Sequence, residues 1–238
     1  MAQKTVWLPE IGEVVLSKRR GTRNIRLSVS ANGQIRVGMP AWVPYSAGIS
    51  FALSRKDWLI KHKTKHEPQL LKDGDRIGKS YRLRFQKVAE TKTSSRIHGA
   101  EVIIKTNQLF SEKTVQSKAK VAAERALRRE AERLLPARLA ELASRHNFKF
   151  RSVKIKKMTS RWGSCSSQKV ITLNYFLMQL PWELIDHVLI HELVHTKHLN
   201  HSASFWAEFE TVYPGAKKTR KLIHNYRPVI NTLAADMA

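Results

Sequence analysis

The sequence predicts an α+β protein, and three observations carry that expectation. Short runs of alternating apolar and polar residues crowd the first hundred positions, a long stretch rich in Ala, Glu and Arg follows at 113–146, and short strand and helix signals alternate over the remainder. Alternation at 13–16, at 24–30 with Ile25, Leu27 and Val29 apolar, and at 34–37, 81–88 and 101–105 predicts half-buried antiparallel strands. Asn32-Gly33, between two of these runs, is a hairpin-turn signal. Ile49, Leu53, Trp58 and Leu59 predict a helix over 44–66 that interrupts the sheet, and Asp73-Gly74-Asp75 turns the chain back into strand. The stretch 113–146 reads as one amphipathic helix, kinked or split at Pro136.

Beyond it, 153–158 alternates apolar residues with Lys and 170–173 is a second short strand, the two flanking a loop at 161–167. Pro181 sits at a helix start, Glu183 and Asp186 are acidic residues in the first turns, and positions 184, 185, 188, 189, 193 and 194 are apolar, which predicts a helix over 181–199 with a buried stripe. Residues 202–213 resume helical spacing with Phe205, Trp206, Phe209 and Val212, and Pro214 begins a last, basic helix. No internal sequence repeat or low-complexity linker divides the chain. The expected division is a β-rich N-terminal region at 1–110 and a second domain at 111–238, which carries the chemistry.

Chemistry concentrates in the 181–199 helix, which carries His191-Glu192-Leu193-Val194-His195 and continues to His201. Residues four apart share a helix face, so His191 and His195 can hold one metal ion between them, with Glu192 flanking it as general base. Two imidazoles and one further ligand leave a fourth tetrahedral position for water, whose pKa zinc lowers to about 7. The polar trio His191, Glu192 and His195 interrupts an otherwise apolar run. Burying such groups without partners costs on the order of 1–3 kcal/mol each, which coordination offsets. The pattern predicts a metal-dependent hydrolase.

The third ligand comes from His187, His198 or His201. His187 lies one turn before His191, but the outer two of three ligands in a row along a straight helix would have Cα atoms about 12 Å apart, too far to converge. It reads as a neighbour of the site. His201 stands six residues past His195, the separation that H-E-x-x-H-x-x-G-x-x-H proteins use after a glycine break, and this favours His201. His198 occupies the glycine position and is placed as a solvent-facing or cap histidine, so Asn200 is expected to end the helix in the left-handed conformation and swing His201 back.

With their surroundings these residues resemble the YgjP-like metallopeptidase family, relatives of the SprT-type zinc proteases. The resemblance rests on Arg161-Trp162-Gly163-Ser164-Cys165, on Ile171-Thr172-Leu173-Asn174, on the H-E-L-x-H helix, and on His201-Ser202 followed by Phe205-Trp206. It implies a zincin-like core of active-site helix, small sheet and covering helices, one zinc ion per chain on His191, His195 and His201, and Glu192 as the catalytic carboxylate. It carries the metal site more firmly than peptide-bond cleavage.

Composition bounds the remaining readings. A chain of 238 residues, 42% hydrophobic, can bury a core as one large or two small domains. No apolar run of signal-peptide length opens it and none approaches the roughly 18 residues of a membrane helix, so the protein is expected in the cytoplasm. A single cysteine, Cys165, excludes an internal disulfide and reads as a small buried or semi-exposed thiol. Forty-three Lys and Arg against 19 Asp and Glu give a net charge of +24, which attracts polyanions such as nucleic acid or a phosphorylated small-molecule substrate. The basic residues are dispersed and define no groove. Two alternatives to a peptidase therefore stand: a metal-dependent hydrolase of phosphoanhydrides or nucleotides, and a DNA-associated protease or nucleic-acid-binding protein. The latter lacks a recognisable helix-turn-helix, zinc-finger cysteines or RNA-recognition aromatic motif.

Further positions are candidates for substrate contact or ligand support. Arg161 either binds an anionic group above the metal or pairs structurally, and Asn174 either contacts substrate or caps the short helix that begins at Tyr175. Glu210 and Asp186 are rivals for accepting the second N–H of a ligand imidazole, since metal-bound histidines usually donate it to a carboxylate or carbonyl. Phe205 and Trp206 are expected to pin the loop that carries His201. The sequence does not fix an oligomeric state.

Overall fold

The computed structural model describes residues 2–29, 33–64, 70–228 and 230. Asn32 and positions 65 and 66, which the expected turn and helix include, lie outside the described residues. The chain divides into two compact units, Met1–Gln69 and Leu70–Ala238.

The first unit is built on a four-stranded sheet ordered β1-β2-β4-β3, with β1 at Gln3–Leu8, β2 at Gly12–Arg19, β3 at Arg26–Val29 and β4 at Ile35–Pro40. Glu10 (φ 62°) and Gly12 (φ 89°) make the tight turn that folds β2 back on β1. β2 and β4 run parallel, pairing Val14 with Ile35 and Leu16 with Val37, while β3 returns antiparallel beside β4. This differs from the all-antiparallel expectation. Alternation reports which face of a strand is buried and is silent on the direction of its partner, and here β3 serves as the crossover that lets β4 align with β2. Val14, Leu16, Ile35, Val37 and Met39 form the apolar face, covered by Ala52 and Leu59. The helix expected over 44–66 is two helices, α1 at Tyr45–Leu53 and α2 at Lys56–Thr64. The Ser54 hydroxyl donates to the Phe51 carbonyl at 2.9 Å where α1 stops, a local side-chain bond that competes with helix continuation.

The second unit opens with another four-stranded sheet, ordered β5-β6-β8-β7: β5 at Arg76–Ile77, β6 at Tyr81–Lys87, β7 at Ser94–His98 and β8 at Glu101–Thr106. Its pairing repeats the first sheet's, antiparallel, parallel, antiparallel. Across it lies α3, Lys113–Arg145, unbroken through Pro136. Its buried alanines, Ala119, Ala122, Ala123 and Ala126, join Leu83, Val102 and Ile104 of the sheet in one core. This shared core places the division between units at residue 69 rather than 110, because β5–β8 bury their apolar face against the long helix.

A third sheet ordered β10-β11-β9 comprises β9 (Ser152–Lys156), β10 (Gly163–Cys165) and β11 (Val170–Asn174), with β11 parallel to β9 and antiparallel to β10. A 3₁₀ turn at Tyr175–Gln179 leads into α4 (Trp182–Val194), α5 (Ala203–Val212) and α6 (Ala216–Ile223). Leu173, Phe176, Leu189, Phe205 and Phe209 extend the same core from sheet to helices. The architecture is mixed α+β with three small sheets. Among the described residues no helix is long and apolar enough to cross a membrane.

Candidate metal centre

The apolar residues Leu184, Ile185, Val188, Leu189 and Leu193 bury α4 along most of its circumference, and the helix stops at His195. Lys197 and His198 donate their backbone N–H groups to the Val194 carbonyl, and the Thr196 hydroxyl donates to the Leu193 carbonyl at 2.7 Å. The helix therefore ends five residues before Asn200, which does not adopt the left-handed backbone expected of it. Ser202 then caps α5 by accepting from the Phe205 N–H at 3.4 Å. Between the two helices His201 is swung back over the face that carries His191 and His195.

The three imidazoles converge. His191 Nε2 lies 3.2 Å from His195 Nε2 and 3.1 Å from His201 Nε2. One ligand atom from each lies within 4.8 Å of the others. His195 Nδ1 donates to the His198 carbonyl oxygen at 2.9 Å, which fixes the tautomer and leaves the Nε2 lone pair facing the other rings. Phe205, fully buried, packs on all three imidazoles with ring centroids 4.6–5.0 Å away. Burial, followed by the neighbouring histidines and Arg220, pushes the His191 pKa down to about 3, and the same influences lower His201. His191 and His201 are thereby kept neutral near pH 7, as metal ligation requires.

Glu192, next in sequence to His191, is 5% exposed, with Oε2 lacking a hydrogen-bond partner among the described residues. Burial raises its pKa to about 8, opposed by the charge of Arg161. Gly163 of β10 lies directly on this carboxylate: a Cβ there would fall 2.6 Å from Glu192 Oε1 and 2.7 Å from its Cγ. The glycine of the Arg161-to-Cys165 run is thus required by close approach. Asn174 holds that run in place. Its Nδ2 donates to the Met158 and Arg161 carbonyls at 2.7 and 2.9 Å, its backbone N–H donates to the Trp162 carbonyl, and its Oδ1 accepts from the Phe176 N–H.

The donor set fits a zinc ion. A tetrahedral zinc about 2.0–2.1 Å from each nitrogen spaces its ligand nitrogens by about 3.3 Å, close to the separations here. Three imidazole nitrogens facing one another, with a buried carboxylate next in sequence to one of them whose Oε2 has no hydrogen-bond partner among the described residues, are an arrangement that a cation completes.

The other candidate residues are placed as follows. Arg161 is exposed near Glu192, and among the described residues no ion pair holds it. Asp186 forms a two-pronged pair with Arg138 of α3 at 2.8 and 2.5 Å. Glu210 Oε1 accepts from the Gly215 N–H at 2.8 Å, closing the turn between α5 and α6. Neither carboxylate bonds to a triad imidazole; the acceptor behind His195 is a backbone carbonyl. His198 Nε2 lies 2.6 Å from Glu208, outside the triad, and helps tie the loop to α5. His187 is buried against Phe209 and Tyr213, with a pKa lowered to about 4 by burial and Arg220. The Cys165 thiol is half-buried, burial and Glu192 raise its pKa to about 11, and it stands outside the cluster of His191, His195 and His201. The His198 carbonyl and Arg220 escaped the sequence reading: the first carries no signal in side-chain identity, and the second was one basic residue among many.

No curated protein compared with the chain matches it. Among solved structures, the chain is similar to the metallopeptidase zymogen of Pyrococcus abyssi abylysin, 29% identical over 39% of this chain and 95% of that one, with a TM-score of 0.34. It is also similar to the metallopeptidase zymogen of Methanocaldococcus jannaschii jannalysin, 24% identical over 36% of this chain and 89% of that one, with a TM-score of 0.33. The model of the YgjP-like metallopeptidase domain matches residues 23–226, most of the sequence, and the chain belongs to that family.

Proposed function

We propose that the protein is a zinc-dependent peptidase with a zincin-like centre, in which His191, His195 and His201 hold one zinc ion and Glu192 is the general base. The observation that carries this reading is the convergence of three imidazole Nε2 atoms, with Glu192, next in sequence to His191, buried and unpartnered at Oε2. Bound there, zinc supplies Lewis acidity toward a carbonyl or a water and a positive charge that favours ionised Glu192. Glu192 accepts a proton from the attacking water and returns it to the amine nitrogen as the C–N bond breaks. Arg161, beside it and exposed, faces an anionic group of the substrate or the developing charge on the attacked oxygen. β10 stands at the edge of its sheet with Gly163 against Glu192, so an extended peptide adding to that edge by main-chain hydrogen bonds would run past the carboxylate.

Elemental analysis of wild type beside His201→Ala, followed by casein and nucleoside triphosphates as substrates, tests this reading. The expected result is one zinc per chain in the wild type, loss of zinc and of casein cleavage in the variant, and intact nucleotides. Glu192→Gln keeps its zinc and loses about 100-fold or more in turnover, because the substitution removes a base and no ligand. Hydrolysis of nucleotides with casein left intact would replace peptide cleavage by phosphoanhydride chemistry, and a zinc-free wild type would remove the metal reading itself.

A further inference from the structure

Next to the triad lies an open hollow of about 450 Å³ lined by Trp206 of α5, Lys217, Arg220 and Lys221 of α6, and His224 just beyond it. Its floor adjoins the metal centre, since the Trp206 ring centroid is 5.9 Å from that of His201 and 6.5 Å from that of His191. The Arg220 guanidinium is stacked over the same indole, 4.7 Å from its centroid, which restricts the fork of donors it presents.

The positive charge of the hollow is uncompensated. Positions 217, 220 and 221 share one helix face at i, i+3 and i+4, an arrangement in which like charges destabilise a helix by a few tenths of a kcal/mol per pair. Among the described residues none of the three has a carboxylate partner, and no acidic side chain lines the hollow. The nearby α5 carboxylates are engaged elsewhere, Glu208 with Lys197 and His198 and Glu210 with the Gly215 N–H. An indole floor under a stacked guanidinium and two ammonium groups suits a short apolar stem that ends in a carboxylate.

We propose that this hollow is a substrate subsite that binds a carboxylate of the peptide, so that the enzyme favours chains with an acidic group close to the scissile bond. The inference rests on the peptidase reading above. The ring separations span about one or two residues of extended chain from the triad. Either an Asp or Glu side chain or a free C-terminal carboxylate supplies the required chemistry.

Calorimetric titration of the full-length, zinc-loaded Glu192→Gln protein, which binds without cutting, tests the subsite. The probes are hexaglutamate capped at both ends, hexaglutamine capped at both ends, and hexaglutamine with a free C-terminal carboxylate. Each is titrated into that protein, into the same protein with Arg220→Gln and Lys221→Gln, and into a control with Arg129→Gln and Arg133→Gln. The control residues line a separate basic hollow beside Ser80 and Tyr81 and remove the same charge. Zinc content and circular dichroism of every variant establish that it is folded.

Capped hexaglutamate is expected to bind at least about tenfold more tightly than capped hexaglutamine, and to lose about tenfold or more on changing Arg220 and Lys221, the scale of one charge-assisted hydrogen bond. The Arg129 and Arg133 changes cost less than about threefold. If the uncapped hexaglutamine shows the same dependence on Arg220 and Lys221, the terminal carboxylate also uses the subsite; if only hexaglutamate does, side chains alone occupy it. Equal losses from both variant pairs, or no preference for either carboxylate-bearing peptide over capped hexaglutamine, overturn the proposal and assign the binding to diffuse charge. Failure of the peptidase reading is read separately, in the casein assay on wild type.

Discussion

The two four-stranded sheets share one topology, β1-β2-β4-β3 and β5-β6-β8-β7, with the same sequence of antiparallel and parallel pairings, yet they carry different helices. After β4 come two nine-residue helices, while after β8 comes the 33-residue α3. Small residues let α3 lie close on its sheet, and its length carries it onward to the metal-binding part of the chain. There the Tyr175 hydroxyl donates to Glu124 at 2.9 Å, and Arg138 grips Asp186 of α4. A sheet that has nothing chemical of its own thus becomes the foundation of the triad through the helix that follows it. Its counterpart in the first unit closes a core of its own.

The sharpest form of this contrast is removal of the metal. His191→Ala is expected to abolish zinc binding and activity and to lower the melting temperature of the Leu70–Ala238 unit, with the Met1–Gln69 transition unmoved in calorimetry. One common downward shift of both transitions would erase the distinction between the units.

Next in size is a matched pair in the two sheets. Leu16 of β2 and Leu83 of β6 are both fully buried, each on the strand that pairs parallel with a neighbour. Truncating either to Ala costs about 2–5 kcal/mol in urea unfolding. Only Leu83→Ala should also weaken zinc binding, because its core is continuous with α3 and α4. Equal zinc loss in Leu16→Ala would break the comparison.

That asymmetry was only partly legible in the sequence. Periodicity located the longer strands, the long helix and the H-E-x-x-H helix, and the spacing to His201 pointed to the residue that the structure brings beside His191 and His195. β5 has two residues and β10 has three around a glycine, too few for alternation to register. The exposed face of β1 hides its pattern behind Gln3, Lys4 and Thr5. The repeated topology left no repeat in the sequence, because sheet order is a property of pairing rather than of residue identity. Strand direction, the early end of α4 and the partners of Asp186 and Glu210 likewise depend on what packs opposite, information that no single segment contains.

A smaller effect is expected in the pH dependence of the metal-free second unit. His187 has a folded pKa lowered to about 4, below its ordinary 6.5, so as pH falls through 6.5 the unfolded chain takes up a proton that the folded one refuses, and stability declines. Glu192 has a folded pKa raised from 4.5 to about 8, so as pH rises from 4.5 toward 8 the unfolded chain ionises first and stability declines on that side as well. The alkaline loss is on the order of a few kcal/mol, since every tenfold difference in proton affinity between the folded and unfolded chain is worth about 1.4 kcal/mol. Between pH 6 and 8 the lowered histidines His187, His191 and His201 gain stability while Glu192 loses it, so the thermal melts with chelator compare wild type with Glu192→Gln: the variant gains more stability than wild type from pH 6 to 8, and added zinc removes the difference. The same change from pH 6 to 8 in wild type and in Glu192→Gln would mean that Glu192 is ionised in the fold without a cation.

The smallest effect concerns what orients the ligands. Support of a metal-bound histidine by a neighbouring group is typically worth 10–100-fold in affinity, and for His195 the acceptor is the carbonyl of His198, which no side-chain substitution removes. Glu210 spends its carboxylate on the Gly215 N–H, and a glutamine oxygen can accept the same bond. Glu210→Gln is therefore expected to change zinc affinity, measured by competition with a chelator, by less than about twofold and stability by no more than about 0.5 kcal/mol. A tenfold fall in affinity would place the Glu210 carboxylate on a ligand imidazole after all. The position of His195 would then depend on a side chain of α5 as well as on the turn that ends α4.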